Sequence, residues 1–278
     1  MMLYQDLERE LYAQLSQEEL QWLSSTVQTL RNSTDINNDI LDASVFVKRK
    51  IQTELKIQFT ELKHCDSVEV FRIFFLLTAL NASQTTTDTA SNSTPNVTPN
   101  IVNLASFLKK YYQGGDSAEK SALLKGLLLL DEKGEAVNVA INATRCNSVD
   151  EYTALALNNA YPGTFFPELN FNQLVLKTLF MGLAIDELLL LSERCNSSLS
   201  NMCFSYAVEQ ALAERIPPAS LWLAIKYVDL TTEHQADFEH YIQHFSQHDA
   251  HHKDTIARLI ELQELTFVKC DNTTLKDY

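Results

Sequence analysis

The sequence predicts an all-α protein, and three observations carry that reading. Its long segments are dominated by Leu, Ala, Glu, Gln and Lys, glycine and proline number only six each, and apolar residues recur at helical spacing. Hydrophobic residues make up 45% and charged residues 21% of the 278. A globular chain of that length buries roughly three quarters of its unfolded surface.

Leu3, Leu7, Leu11 and Leu15 recur every four residues and define a first helix. Ser16 followed by Glu19 has the form of a capping box, opening a second helix with Leu20, Leu23, Val27 and Leu30 inside. A third amphipathic helix is expected over 40–55. The run VEVFRIFFLLTAL, 68–80, is too long for a typical strand and reads as a buried helix. Residues 81–100, NASQTTTDTASNSTPNVTPN, offer no apolar face and are expected to form a flexible loop or linker. This segment separates an N-terminal part, 1–80, from a C-terminal part, 101–278. It is either a domain boundary or a long insertion within one continuous helical domain.

Beyond it, helices are expected at 102–112, 117–130, 135–144, 148–160, 170–181, 184–192, 197–214, 218–228, 233–246 and 250–265. Gly114-Gly115, Gly134, Pro162, Gly182 and Pro217-Pro218 punctuate them. Asp116 or Ser117 should cap one helix, and Asn147 or Ser148 another. Roughly a dozen tightly joined helices bury their stripes by stacking pairwise, which points to an irregular HEAT-like α-solenoid.

The formal charge of −14 and pI near 4.9 repel phosphate backbones and anionic lipid head groups, so nucleic acid is excluded as a partner. The most apolar stretch, 171–191, is interrupted by Asn172, Gln173, Lys177, Asp186 and Glu187, so no transmembrane segment is expected. The N-terminus, MMLYQDLERELY, carries acids where a signal peptide has a basic start, which places the chain in the cytoplasm. Cysteines 65, 146, 195, 203 and 270 form no C-x-x-C pair and read as reduced thiols. With no G-x-S-x-G, Walker or G-x-G-x-x-G motif, no cofactor is expected.

The densest information lies at 158–180. Asn159, Tyr161 and Pro162 form a turn, Phe165-Phe166-Pro167 follows, and a helix apolar on nearly every side then carries Asn172, Gln173 and Lys177. Asn170 is expected to cap that helix with Gln173 reaching back. Lys177 either snorkels to solvent, meets a buried acid or carbonyl, or serves a ligand or partner site. Arg145 with Asn147 and Arg194 with Asn196 repeat Arg-Cys-Asn at two helix junctions. There, arginine would satisfy terminal carbonyls and asparagine would cap the next helix. Alternatively, Arg145, Arg194 and Lys177 build an anion pocket for a carboxylate.

Six of the seven histidines fall between His234 and His252, and His240, His244, His248 and His252 recur every four residues. Imidazoles at i and i+4 on one helix share a metal readily. The stretch Ser246-Gln247-His248-Asp249 is expected to break the helix and dissolve the stripe after His244. That leaves His240, His244 and His248 as weak metal candidates on a solvated face. The acid pairs Asp131-Glu132 and Asp186-Glu187 read as solvated helix ends.

From Leu123 to Leu223 the chain resembles the EboA family of the bacterial ebo cluster for metabolite traffic. The resemblance rests on LLKGLLLL, Ala143-Thr144-Arg145-Cys146-Asn147, Asn159-Ala160-Tyr161-Pro162 with Phe166, and Phe171-Asn172-Gln173-Leu174-Val175-Leu176-Lys177 with Phe180. It continues through Arg194-Cys195-Asn196 and Tyr206-Ala207-Val208-Glu209. Ala160 stands where the family tends to have proline, Phe171 where it tends to have tryptophan, and Glu209-Gln210 where Glu-Arg is usual; the first 120 residues match only in helical character. The resemblance implies a non-catalytic binding or adaptor protein that moves or processes a secondary-metabolite precursor. Its implied partners are other ebo-cluster proteins, including a membrane prenyltransferase-like protein that would bring it to the inner membrane. The motif residues then form a ligand or partner site: Arg145, Asn147, Asn159, Tyr161, Pro162, Asn172, Gln173, Lys177, Arg194, Asn196, Tyr206 and Glu209. The rival class is a metal-dependent or acid-binding enzyme of secondary metabolism. It would use the His234–His252 cluster or the Arg145, Lys177 and Arg194 set.

Overall fold

The computed structural model describes residues 2–88 and 103–265, and these form an all-α protein with no strand among them. Its contacts divide the chain into two compact units, Met1–Phe166 and Pro167–Tyr278. The first holds α1 (Met2–Gln14), α2 (Gln17–Arg31), α3 (Ile36–Lys50), α4 (Ser67–Asp88), α5 (Leu104–Gly114) and α6 (Ser117–Leu130). It closes with α7 (Val137–Ala143), α8 (Val149–Ala156) and α9 (Ala160–Phe165). The second holds α10 (Glu168–Phe180), α11 (Leu191–Arg194), α12 (Ser197–Leu212), α13 (Thr232–His248) and α14 (Ala250–Leu262).

Helix α4 is the axis of the first unit. Val70, Phe71, Ile73, Phe74, Phe75 and Leu76 are all fully buried, because α1, α2, α3 and α6 pack around it. A helix apolar all round requires such enclosure. The Tyr4 ring stacks on Phe74 with centroids 5.4 Å apart. Gly126 lets α6 approach closely, since a Cβ there would lie 2.7 Å from the Ile73 side chain.

The helix expected over 40–55 stops at Lys50. Beyond it the backbone N–H groups find side-chain acceptors instead of helical carbonyls. Gln52 and Thr53 donate to Glu19 Oε1 at 2.8 and 3.0 Å, Leu55 to Ser67 Oγ, Lys56 to Gln14 Oε1 and Gln58 to Glu10 Oε1. Residues 51–59 therefore run as a strap across the first helices. The odd-numbered residues of the strap lie deeper than the exposed even-numbered ones.

Helix α4 continues to Asp88, so residues 81–88 of the expected loop are helical. No glycine or proline interrupts them, and a nucleated helix propagates through polar residues until something breaks it. The rest of that segment lies outside the described residues.

In the second unit the aromatic rings of Phe204, Trp222, Phe238 and Phe245 form the core. Two expected helices are replaced here. Residues 184–190 run as turns, with the Ile185 N–H donating to Ser220 Oγ at 2.8 Å and Leu190 left-handed at φ 64°. Residues 218–228 form 3-10 turns, Ala219–Ala224 and Tyr227–Asp229. Backbone groups there are captured by Ser200 of α12 and by Gln263, just past α14.

Glu19 ties α2 to the strap. Its carboxylate accepts from the Ser16 N–H and hydroxyl, the Gln52 and Thr53 N–H groups and the Thr53 hydroxyl. Burial alone would raise its pKa, but hydrogen bonds from Ser16, Gln52 and Thr53 outweigh burial and hold it at about 2. The ionised form is favoured in the folded state, so its contribution is complete above the unfolded value of 4.5 and is lost as pH falls toward about 2. Glu19→Gln replaces one acceptor oxygen by an amide that faces donors, and should cost about 1–3 kcal/mol in urea unfolding at pH 7. The difference between parent and variant should shrink as pH falls through that window. A constant difference across it would show that the charge contributes nothing.

Candidate functional site

In the first unit, Asn159 caps α9. Its Oδ1 accepts from the Tyr161 N–H at 3.0 Å, while its amide donates to the carbonyls of Leu124 and Ala154 at 2.9 and 3.1 Å. Every polar atom of this buried side chain is thereby committed. Tyr161 and Pro162 occupy the first turn of α9, where a proline lacks nothing the helix needs. The Tyr161 hydroxyl donates to Asp131 at 2.6 Å. Burial, and then the bond to Asp131 and its charge, push the phenol well above its usual range, so the hydroxyl stays protonated.

Asp131 overturns one expectation: it is 1% exposed, not a solvated helix end. Its carboxylate also accepts from the Glu135 and Ala136 N–H groups at 2.9 and 2.7 Å, so it closes the turn between α6 and α7. Gly134 in that turn has φ +74°, and any Cβ would meet the Phe165 ring at 2.6 Å, so the turn admits only glycine. Helix α9 thus braces the 131–136 turn with two of its aromatics. Arg145 and Asn147 are exposed at the next junction, and Ser148, not Asn147, caps α8 through the Glu151 N–H. Asn147 sits one position outside the cap.

In the second unit, α10 begins at Glu168 after Pro167, so Asn170 lies inside the first turn and does not cap it. Proline fixes the φ that enters the helix, which moves the start two residues forward. Asn172 is 1% exposed and exchanges reciprocal amide hydrogen bonds with Asn196 at 3.2 and 3.0 Å. Asn196 also caps α12 through the Leu199 N–H and donates to the Arg194 carbonyl. The Arg194 guanidinium lies 4.8 Å from the Phe171 ring centroid, a cation–π contact. Phe171, Asn172, Arg194 and Asn196 therefore meet at one joint.

Gln173 and Lys177 face elsewhere. Leu169, Gln173, Leu176, Lys177 and Phe180 fall on one arc of α10 at helical spacing. Leu169 and Phe180 are 61% and 63% exposed, Gln173 is exposed, and Leu176 and Lys177 are half-buried. At the end of this stripe Phe180 meets the Tyr206 ring of α12 edge-on at 4.7 Å, and Glu209 is exposed one turn further along α12.

The second unit also holds a cavity of about 480 Å³. Ala184, Pro217, Pro218 and Leu223 supply apolar walls, and Asp186 and Arg258 supply charge. Asp186 and Glu187 are exposed, as expected. His252, at its edge, is committed to the core. Its Nδ1 accepts from the Trp222 indole at 2.9 Å and its Nε2 donates to the Pro217 carbonyl at 2.8 Å. Burial lowers its pKa, against the opposing effects of Pro217 and Asp249, and favours the neutral ring.

The helix break falls at the last residue of the expected Ser246–Asp249 stretch, so the helix runs two residues past its expected end at 246. Helix α13 includes His248, and Asp249 both ends it and caps α14. His240, His244 and His248 therefore share one unbroken helix, while His252 leaves the stripe. Among the described residues no group of three or more His, Cys, Asp or Glu side chains is placed to hold a metal.

Two residues carried no usable sequence signal. Asp131 is indistinguishable in sequence from a solvated acid, because its partners lie four, five and thirty residues away. Arg72 is buried within the apolar run of α4, and its Nε has no hydrogen-bond partner among the described residues. The brace makes a clean prediction. Tyr161→Phe should lose about 1.5–3 kcal/mol, the range for a bond to a charged acceptor. Asp131→Ala should lose more, because two backbone donors are also stranded. Chemical unfolding read by circular dichroism measures both, and parent-like midpoints would show the brace to be idle.

No curated protein and no solved structure matches the chain. The family model described as metabolite traffic protein EboA matches residues 3–226. The match reaches well upstream of the 123–223 stretch that carried the resemblance, and takes in the Glu19 clamp, the Asp131 brace and the Asn172–Asn196 joint alike. With most of its length aligned to that model, the chain belongs to the EboA family.

Proposed function

We propose that this protein is a non-catalytic binding component of metabolite traffic, which engages another product of its cluster through the exposed stripe of α10. The observation that carries this reading is the arc Leu169, Gln173, Leu176, Lys177 and Phe180, joined at its end by Tyr206. An apolar and aromatic strip edged by an amide, an amine and the Glu209 carboxylate has the composition of an interface core with a polar rim. The remaining motif residues support the same reading from the other side. Asn159, Tyr161, Asn172 and Asn196 are bonded to the protein's own backbone and side chains.

The thiols fit a binding role too. Burial pushes Cys65 and Cys203 up to about 12, far from the range of an activated nucleophile. The metabolite's place in this reading is the cavity beside Pro217 and Pro218, whose volume lies in the small-molecule range. Among the described residues no helix is long and apolar enough to cross a membrane. A cytoplasmic protein of this kind would reach the inner membrane through a partner such as a prenyltransferase-like protein.

The test is a double substitution, Lys177→Met with Phe180→Ser. Because Phe180 is mostly exposed and the methionine keeps the lysine's volume, the variant should retain its helical signal and melt within a few degrees of the parent. Co-purification of the other cluster products and metabolite export in cells should both be lost. A folded variant that still captures its partners and supports export would remove the α10 stripe from the interface.

A further inference from the structure

The stripe of histidines on α13 survives because the helix runs through His248. The rings of His244 and His248 stand with centroids 4.4 Å apart and planes 32° from each other. Two imidazoles whose nitrogens each lie ~2 Å from one shared ion, at a right angle, have centroids ~4.5 Å apart. The observed centroid spacing matches that figure.

The tautomer is also set. His248 Nδ1 lies 2.6 Å from the His244 carbonyl oxygen. A carbonyl can only accept, so Nδ1 carries a proton, and it is Nε2 whose lone pair the neutral ring offers. A ligating histidine is commonly held in this way, its second nitrogen donating to a backbone carbonyl. His248 is exposed and His244 half-buried, so the pair opens to solvent. His240 stands one turn earlier with its ring edge-on to Tyr241, and His252 is sealed in the core. The pair lies beyond residue 226, where the family match ends.

We propose that His244 and His248 form a bidentate clamp for a late first-row divalent cation. The two imidazoles fill two coordination positions, and the others remain open to water or an exogenous donor. Neutral nitrogen ligands in this number favour Cu²⁺ over Ni²⁺ and Zn²⁺. The clamp is independent of the α10 stripe and of the traffic reading.

The experiment is calorimetric titration of the tag-free full-length protein with Cu²⁺ and, separately, Zn²⁺, with circular dichroism confirming the fold of each variant. One Cu²⁺ per chain should bind, at least tenfold tighter than Zn²⁺. His244→Gln and His248→Gln should each weaken Cu²⁺ at least tenfold, and His240→Gln and His251→Gln should leave it unchanged. Parent-like binding by either of the first two variants overturns the clamp. So does an equal loss on His240→Gln or His251→Gln, which would place the ion elsewhere.

Discussion

A protein built from short helices is governed by the ends of those helices. Each end leaves four N–H or four C=O groups with no partner inside the helix, and a buried orphan costs about as much as one hydrogen bond contributes. This chain meets that demand with side chains placed one by one. Glu19, Asn103, Asp116, Ser148, Asn159, Asn196, Thr231 and Asp249 each accept from or tie a helix start. Asp131 does the same for a turn. The apolar core supplies the drive to collapse, and these polar groups decide where each helix stops.

That division of labour accounts for many of the residues on which the resemblance to the EboA family rests. Asn159, Tyr161, Pro162, Arg194 and Asn196 sit where one helix hands over to the next, and Asn172, inside α10, bonds to Asn196 at such a junction. Residues at such joints preserve a shape. The outward arc of α10 carries others of the residues on which the resemblance rests, Gln173, Lys177 and Phe180.

Much of the fold was legible because it was local. Ser16 with Glu19 and Asp116 with Glu119 are complete capping boxes within four residues, and α6 begins and ends at the expected residues. The failures were of distant origin. Only residues 51–55 of the strap fall within the helix expected over 40–55; Ile51, Thr53, Leu55, Ile57 and Phe59 alternate with polar residues, a period of two that directly follows a helical run. Residues 218–228 look helical in composition, and only side chains of α12 and the end of α14 draw their backbone into 3-10 turns. The joint of Asn172 with Asn196 pairs residues twenty-four apart, and no spacing rule connects them.

Asp249 belongs to two helices at once. Its N–H donates the last backbone bond of α13 to the Phe245 carbonyl, and its carboxylate accepts the first side-chain bond of α14 from the His252 N–H, with no other residue between the two helices. Phe245 and His252, one on each side, stack at 4.9 Å with planes 18° apart, and both press on Trp222. A corner with no slack transmits any change of length as rotation, since one added residue would turn everything after it by about 100° on the helix. The number of residues between Phe245 and His252 is therefore a stricter property of this corner than the identity of most residues within it. In related chains it is this count, before any substitution, that will reveal whether the same elbow is present.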